Sequence, residues 1–203
     1  MPVIVDYGVG NLFSLRSSFA AIGQEVSVTS DPAEIRRADR LLLPGVGAFR
    51  DAAEKLRQSG LDALLREQAA AGKPLLGICL GMQLLFDKSL EYGEHPGLGL
   101  IPGCVRPIAE RAPAEYKIPQ IGWNALRLSG DSPIFRTIQN GDYVYFVHSY
   151  HAVCDARYIS AETEYGGLLT AAVQNGNVYG CQFHPEKSGR VGLAILKAFC
   201  EDT

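Results

Sequence analysis

The chain has 203 residues, with 19 lysines and arginines against 22 aspartates and glutamates and a net charge of −3. That length suits one domain over residues 1–203 and lets a chain bury roughly 70% of its unfolded surface, enough for an autonomous core. The charge balance leaves no basic footprint for nucleic acid, no apolar stretch approaches the roughly 18–20 residues of a membrane span, and the apolar start Met1 to Asp6 lacks the basic region and cleavage site of a leader. A cytoplasmic protein with neither nucleic-acid nor membrane partners is expected.

Strand and helix patterns alternate through the first half. Pro2 to Asp6 reads as a strand. Asn11 then N-caps a helix that turns Leu12, Leu15, Phe19 and Ile22 inward, with Gly23 as its stop. Val26 to Thr29 forms a second strand, and Asp31-Pro32 caps and opens a short helix in which Glu34 is placed for a capping box. Leu41 to Leu43 is a third strand, followed by helices over Phe49 to Gln58 and Leu61 to Ala71, parted by Ser59-Gly60. Leu75 to Cys79 is a further strand that runs into a helix-like segment, Leu80 to Phe86. This alternation implies parallel, layered βα units.

The second half changes character. Gly93 to Pro102 reads as loop because it is rich in glycine and proline. Short strands then follow at Trp123 to Leu128, Asp142 to Ser149, Ala152 to Asp155, Ile159 to Glu164, Leu168 to Gln174 and Asn177 to His184. Gly166-Gly167 and Asn175-Gly176 have the residue types of tight hairpin turns, so antiparallel pairing is expected here. A last helix starts near Ser188 with Val191, Ile195 and Phe199 on one face. The expected architecture is α/β, with a central mixed sheet covered by helices on both faces.

The most informative motif is Gly77-Ile78-Cys79-Leu80-Gly81, at the junction of strand and helix. It is a nucleophile elbow with sulfur in place of oxygen, and its small neighbours let a substrate approach the sulfur. Far downstream, His184-Pro185-Glu186 supplies a base and an orienter: the proline biases His184 toward extended backbone, where residues two apart share a side. The three make a Cys-His-Glu triad. A helix N-terminus and a neighbouring histidine both favour thiolate over thiol. Attack on a carbonyl creates an oxyanion, for which the backbone N–H of Leu80 is one donor and an amide of Gly45, Val46 or Gly47 the second. The five cysteines contain no CxxC pair, so neither a zinc site nor a disulfide framework is signalled, and the four besides Cys79 read as ordinary thiols. Gly8-Val9-Gly10 is not a dinucleotide fingerprint, because the third glycine would fall at Phe13.

The segments GICLGMQ at 77–83, LPGVG at 43–47 and QFHPEKS at 182–188 resemble the class I, triad-type glutamine amidotransferases. Asp6 to Leu12, Pro119 to Asn124 and Tyr145 to Tyr150 narrow the resemblance to the glutaminase subunits of imidazole glycerol phosphate synthase, nearly end to end. The resemblance implies a three-layer, flavodoxin-like fold and hydrolysis of L-glutamine to glutamate and ammonia through a Cys79 thioester. It also implies a heterodimer that passes ammonia to a TIM-barrel cyclase subunit in histidine biosynthesis, with no metal or organic cofactor. One departure is Gln120, where many relatives carry histidine; a glutamine there argues against acid-base chemistry.

Several candidates have plainer readings beside the functional one. Gln83, one helical turn past Cys79, is either a glutamine-binding side chain or an exposed helix residue. Ser149 and Tyr150 carry, by family resemblance, backbone contacts to the substrate's α-amino and α-carboxylate groups at the end of a strand. Trp123 is either core or an interface anchor, Lys187 either solvated or a sensor of the partner, and Asn11 a helix cap with a partner contact implied by the family. His148 reads as a locally bonded histidine. Alternatives at the level of function are a glutaminase subunit for anthranilate, aminodeoxychorismate, GMP or pyridoxal phosphate synthesis, and a silent regulatory module, against which the intact triad argues.

Overall fold

A computed structural model describes residues 1–201 and 203. The strands are β1 (Val3–Val5), β2 (Ser27–Thr29), β3 (Leu41–Gly45), β4 (Leu75–Cys79), β5 (Phe86–Ser89), β6 (His95–Pro96), β7 (Ile101–Pro107), β8 (Gln120–Leu128), β9 (Tyr143–His148), β10 (Tyr150–Val153), β11 (Ile159–Glu164), β12 (Leu168–Asn175) and β13 (Val178–Cys181). The helices are α1 (Leu12–Ala21), α2 (Pro32–Arg37), α3 (Phe49–Gln58), α4 (Leu61–Ala70), α5 (Leu80–Leu84) and α6 (Gly189–Glu201). Nine strands form one sheet in the order β2-β1-β3-β4-β13-β12-β11-β8-β9. It is parallel from β2 to β13 and antiparallel from there to β9. The expected mixed sheet is present.

Side-chain alternation along the parallel strands explains the layers. Val3, Val5, Leu41, Leu43 and Leu75 point to one face, where they pack with Ile35 of α2, Phe49, Ala52 and Leu56 of α3 and Leu61, Leu64 and Leu65 of α4. Ile4, Leu42, Leu76 and Ile78 point to the other, against Leu15 and Phe19 of α1 and Ile195, Leu196 and Phe199 of α6. Every residue of β3 and β4 is buried, as expected for parallel strands covered on both sides.

Four differences from the sequence reading have physical causes. First, the segment read as loop contains β6 and the start of β7, which join β5 and β10 in a second sheet, β10-β7-β5-β6. Pro102 and Gly103 conceal this strand in the sequence, and it forms through pairing with distant β10 and through the Gly103 N–H donating to Asp87 Oδ2 at 3.0 Å. Second, α5 lasts only to Leu84, after which the chain enters β5. Third, Asp31 caps α2 by accepting from Ala33 N–H at 2.8 Å, but the box is not closed: Asp31 N–H donates to Thr29 Oγ1 and Glu34 accepts from Ser27. Fourth, Asn175 pairs with Val178, so the turn residues are Gly176 and Asn177 rather than Asn175 and Gly176, with Gly176 at φ +56°. The other N-cap reading stands as expected: Asn11 Oδ1 accepts from Ser14 N–H at 3.2 Å.

Candidate active site

Three neighbouring parallel strands end at the same edge and carry the three motifs. Gly45 at the end of β3 is in register with Cys79 at the end of β4, and β13 on the other side of β4 leads into Gln182 to Glu186. Ligands of open α/β sheets bind beyond such C-terminal strand ends. Cys79 has φ +55° and ψ −111°, a conformation strained for a side chain with a Cβ. Close packing holds it there: a Cβ on Gly81 would overlap the Leu43 carbonyl oxygen, and one on Gly77 would stand 2.6 Å from the Gly81 carbonyl oxygen. Both elbow glycines are therefore required by contact between α5 and strands β3 and β4, a further reason beside substrate access.

The sulfur faces a cavity of about 580 Å³ lined by Val46, Gly47, Leu80, Gln83, His184 and others. Gly45 is not among the lining residues; it is a strand residue packed against Gly81. Gly47 follows with φ +93°. His184 is buried, and its Nδ1 meets Glu186 Oε1 at 2.7 Å. His184 is itself extended as expected, at φ −99° and ψ 99°, and Glu186 reaches its imidazole from the 3-10 turn Pro185–Lys187 that follows. Its carboxylate is only 4% exposed, which rules out the solvated reading, and its Oε2 is buried without a hydrogen-bond partner. Burial alone would lower the His184 pKa, but interactions with Cys79 and Glu186 outweigh it and raise the value to about 10. Both interactions thus favour the protonated imidazole, a proton donor beside the sulfur.

Gln83 is buried rather than exposed. Its Nε2 donates to the Tyr150 carbonyl and to Gln182 Oε1, both at 3.0 Å. Ser149 and Tyr150 line the cavity at the junction where β9 ends and β10 begins. Their carbonyls are engaged, by Ile108 N–H and by Gln83 and His148 respectively. His148 bonds locally as expected: Nδ1–H donates to the Tyr150 carbonyl at 2.8 Å, Nε2 meets the Gln120 carboxamide at 2.9 Å, and burial lowers its pKa to about 4.

The structure adds residues that the sequence reading passed over. Glu91 is the one carboxylate lining the cavity among the described residues, and its Oε2 accepts from Phe49 N–H at 2.8 Å. It lies in the turn between β5 and β6, where no periodicity singles it out. Tyr7 donates its hydroxyl to the Pro44 carbonyl at 2.7 Å, beneath the Gly45 to Gly47 loop, and burial followed by the proximity of Cys79 pushes its pKa up. No group of side chains able to hold a metal ion occurs among the described residues, and no helix there is long and apolar enough to cross a membrane.

Trp123 is 52% exposed, which excludes the core reading. It stacks edge-on with Tyr145, centroids 6.0 Å apart, and Lys187 Nζ lies 5.8 Å above the same Tyr145 ring. Ile121 and Tyr143 extend this exposed face along the paired strands β8 and β9. Asn11 is exposed on α1, which packs against the Pro185–Lys187 turn.

The sequence model of the glutamine amidotransferase class-I family matches residues 3–203. The chain is 50% identical over 201 residues to "Imidazole glycerol phosphate synthase subunit HisH" of Lactococcus lactis subsp. lactis, covering 98% of both. The chain belongs to the class I glutamine amidotransferases. Within this family it also matches the HisH subunit of Wolinella succinogenes, 48% identical over 99% of both chains. Among solved structures it shares the fold of PurLQS from Thermotoga maritima, with a TM-score of 0.76 at 21% identity, covering 98% of this chain and 96% of that one. A second structure, described as a glutamine amidotransferase, has a TM-score of 0.75 at 20% identity and covers 98% of both chains. The three-layer α/β architecture is thus that of the class I amidotransferases, and the chain is an amidotransferase enzyme.

Proposed function

We propose that this chain is the glutaminase subunit of an imidazole glycerol phosphate synthase, with Cys79, His184 and Glu186 as its catalytic triad. The observation that carries the mechanism is the strained Cys79 elbow facing the cavity, with His184 lining the same cavity and held at 2.7 Å by Glu186. The Cys79 thiolate attacks the side-chain carboxamide carbon of L-glutamine. The carbonyl oxygen becomes an oxyanion, received by Leu80 N–H and by an amide of the Gly45, Val46, Gly47 loop, of which Val46 and Gly47 line the cavity. His184 gives its proton to the departing nitrogen, ammonia leaves, and a glutamyl thioester remains. His184, now neutral, takes a proton from water as it attacks the thioester, which releases glutamate and restores the sulfur. Glu186 keeps Nδ1 protonated and Nε2 directed at the chemistry.

Substrate recognition is assigned to Glu91 for the α-ammonium group, on charge complementarity, and to Gln83 and donor groups of Ser149 and Tyr150 for the rest of the amino acid. Ammonia is handed to a cyclase subunit. The exposed apolar face of Ile121, Trp123 and Tyr143, with half-buried Tyr145 between Trp123 and Lys187 and with Asn11 nearby, is assigned as the docking surface. The full-length likeness to HisH subunits favours this acceptor over anthranilate, aminodeoxychorismate, GMP or pyridoxal phosphate synthases. Glutamate release is measured for the chain alone, with a TIM-barrel cyclase subunit, and with that subunit plus its nucleotide ligand. Stepwise activation is expected, and full activity in isolation, unchanged by the cyclase, would overturn the assignment.

A further inference from the structure

Gln182 is fully buried just beyond β13, with its backbone N–H donating to the Ala171 carbonyl at 2.8 Å. Its side-chain Nε2 lies 3.7 Å from Cys79 Sγ as a donor. Hydrogen-bond polarity fixes which end of the carboxamide faces the sulfur. A backbone carbonyl only accepts, so Gln83 must present Nε2 to Tyr150, and the second hydrogen of that nitrogen then goes to Gln182 Oε1. The NH2 end of Gln182 is what remains for Cys79.

We propose that Gln182 is a further catalytic residue, whose carboxamide N–H donates to the Cys79 sulfur, directs it at the substrate and favours thiolate over thiol. This rests on Cys79 being the nucleophile. The donor acts where a helix dipole is weak, since α5 has only five residues. A hydrogen bond to the charged form of an acid favours that form, and a charge-assisted one changes the thiolate-to-thiol ratio by about tenfold or more. The donor is also dry and held from behind by Gln83, so no reorganisation is needed as the sulfur attacks.

The test is the pH dependence of Cys79 alkylation by iodoacetamide, followed on the Cys79 peptide by mass spectrometry so that the other cysteines do not contribute. Gln182→Met keeps length but removes the N–H, and Gln182→Glu places an acceptor against the sulfur. We expect the alkylation midpoint to rise by about one pH unit in Gln182→Met, a tenfold loss of thiolate over thiol, and further in Gln182→Glu. In both, kcat for glutamine falls about tenfold or more while KM stays within about twofold. A wild-type midpoint in the folded variants, or a raised KM with kcat preserved, overturns the proposal. A readout independent of variant folding is the side-chain amide resonance of Gln182 in the wild-type chain: it should move with Cys79 titration and stay still in Cys79→Ala, and no pH-linked movement would overturn the proposal. Failure of the underlying reading is distinguished by Cys79→Ala itself, which would then retain turnover.

Discussion

Replacing Glu186 by glutamine removes one charge and little volume from a site that offers the carboxamide no comfortable orientation. With its oxygen toward His184 Nδ1–H, the new NH2 occupies the Oε2 position, which is buried and has no hydrogen-bond partner. Flipped, the NH2 faces Nδ1 and turns the imidazole into the tautomer that cannot serve Cys79. The first arrangement forfeits a charge-assisted bond of 2.7 Å, worth about 1.5–3 kcal/mol, and strands a donor at about 1–3 kcal/mol. At 1.36 kcal/mol per decade, loss of the bond alone lowers kcat by about ten- to a hundredfold. The same carboxylate helps to raise the His184 pKa against its burial, so the alkaline limb of the pH–kcat profile should move to lower pH. Glutamate release, coupled to glutamate dehydrogenase and measured with the partner present, reads both effects. A kcat within about twofold of wild type with an unmoved alkaline limb would refute this account of Glu186.

Gly81→Ala drives a methyl group into the Leu43 carbonyl; about 3 kcal/mol or more is lost and Tm falls by about 6 °C or more in calorimetry, whereas Gly60→Ala, with open space but φ +72°, should cost only about 1–2 kcal/mol. Stability should also peak near neutrality. Between pH about 4 and 6.5 the unfolded chain binds protons that buried His148 and His151 refuse, so stability falls with acidification. Between about 6.5 and 10 folded His184 keeps a proton that the unfolded chain releases, so stability falls with rising pH. Thermal unfolding across pH should show both limbs, with the alkaline one shallower in Cys79→Ala; stability rising steadily to pH 10 would contradict a charged His184.

Local rules made strands in both halves of the central sheet legible. The run Leu75 to Cys79 is wholly buried and uninterrupted, and Ile159 to Glu164 has clear flanks, so both strands appear with the boundaries read from sequence. The second sheet was hidden because β7 contains Pro102 and Gly103 and owes its form to distant β10. The residues of the proposed triad stood out because an elbow needs glycines around Cys79 and because Pro185 sets His184 and Glu186 two apart. Glu91, Tyr7 and the sulfur contact of Gln182 did not, since each contact is made by tertiary approach between distant segments, which no local pattern encodes. Trp123 shows the limit of residue type as a guide: its chemistry suits a core and an interface equally, and only its exposure beside Tyr145 and Lys187 excludes the core.

The central claim is that Cys79 carries the glutamyl group. Rapid mixing of the chain and its partner with glutamine, acid quenching and peptide mass spectrometry measures this directly. The account predicts a transient glutamyl adduct on the Cys79 peptide, lost on hydroxylamine treatment, and neither adduct nor glutamate release in Cys79→Ala. Glutamate release in that variant, or rapid turnover with the adduct on another residue, would contradict it.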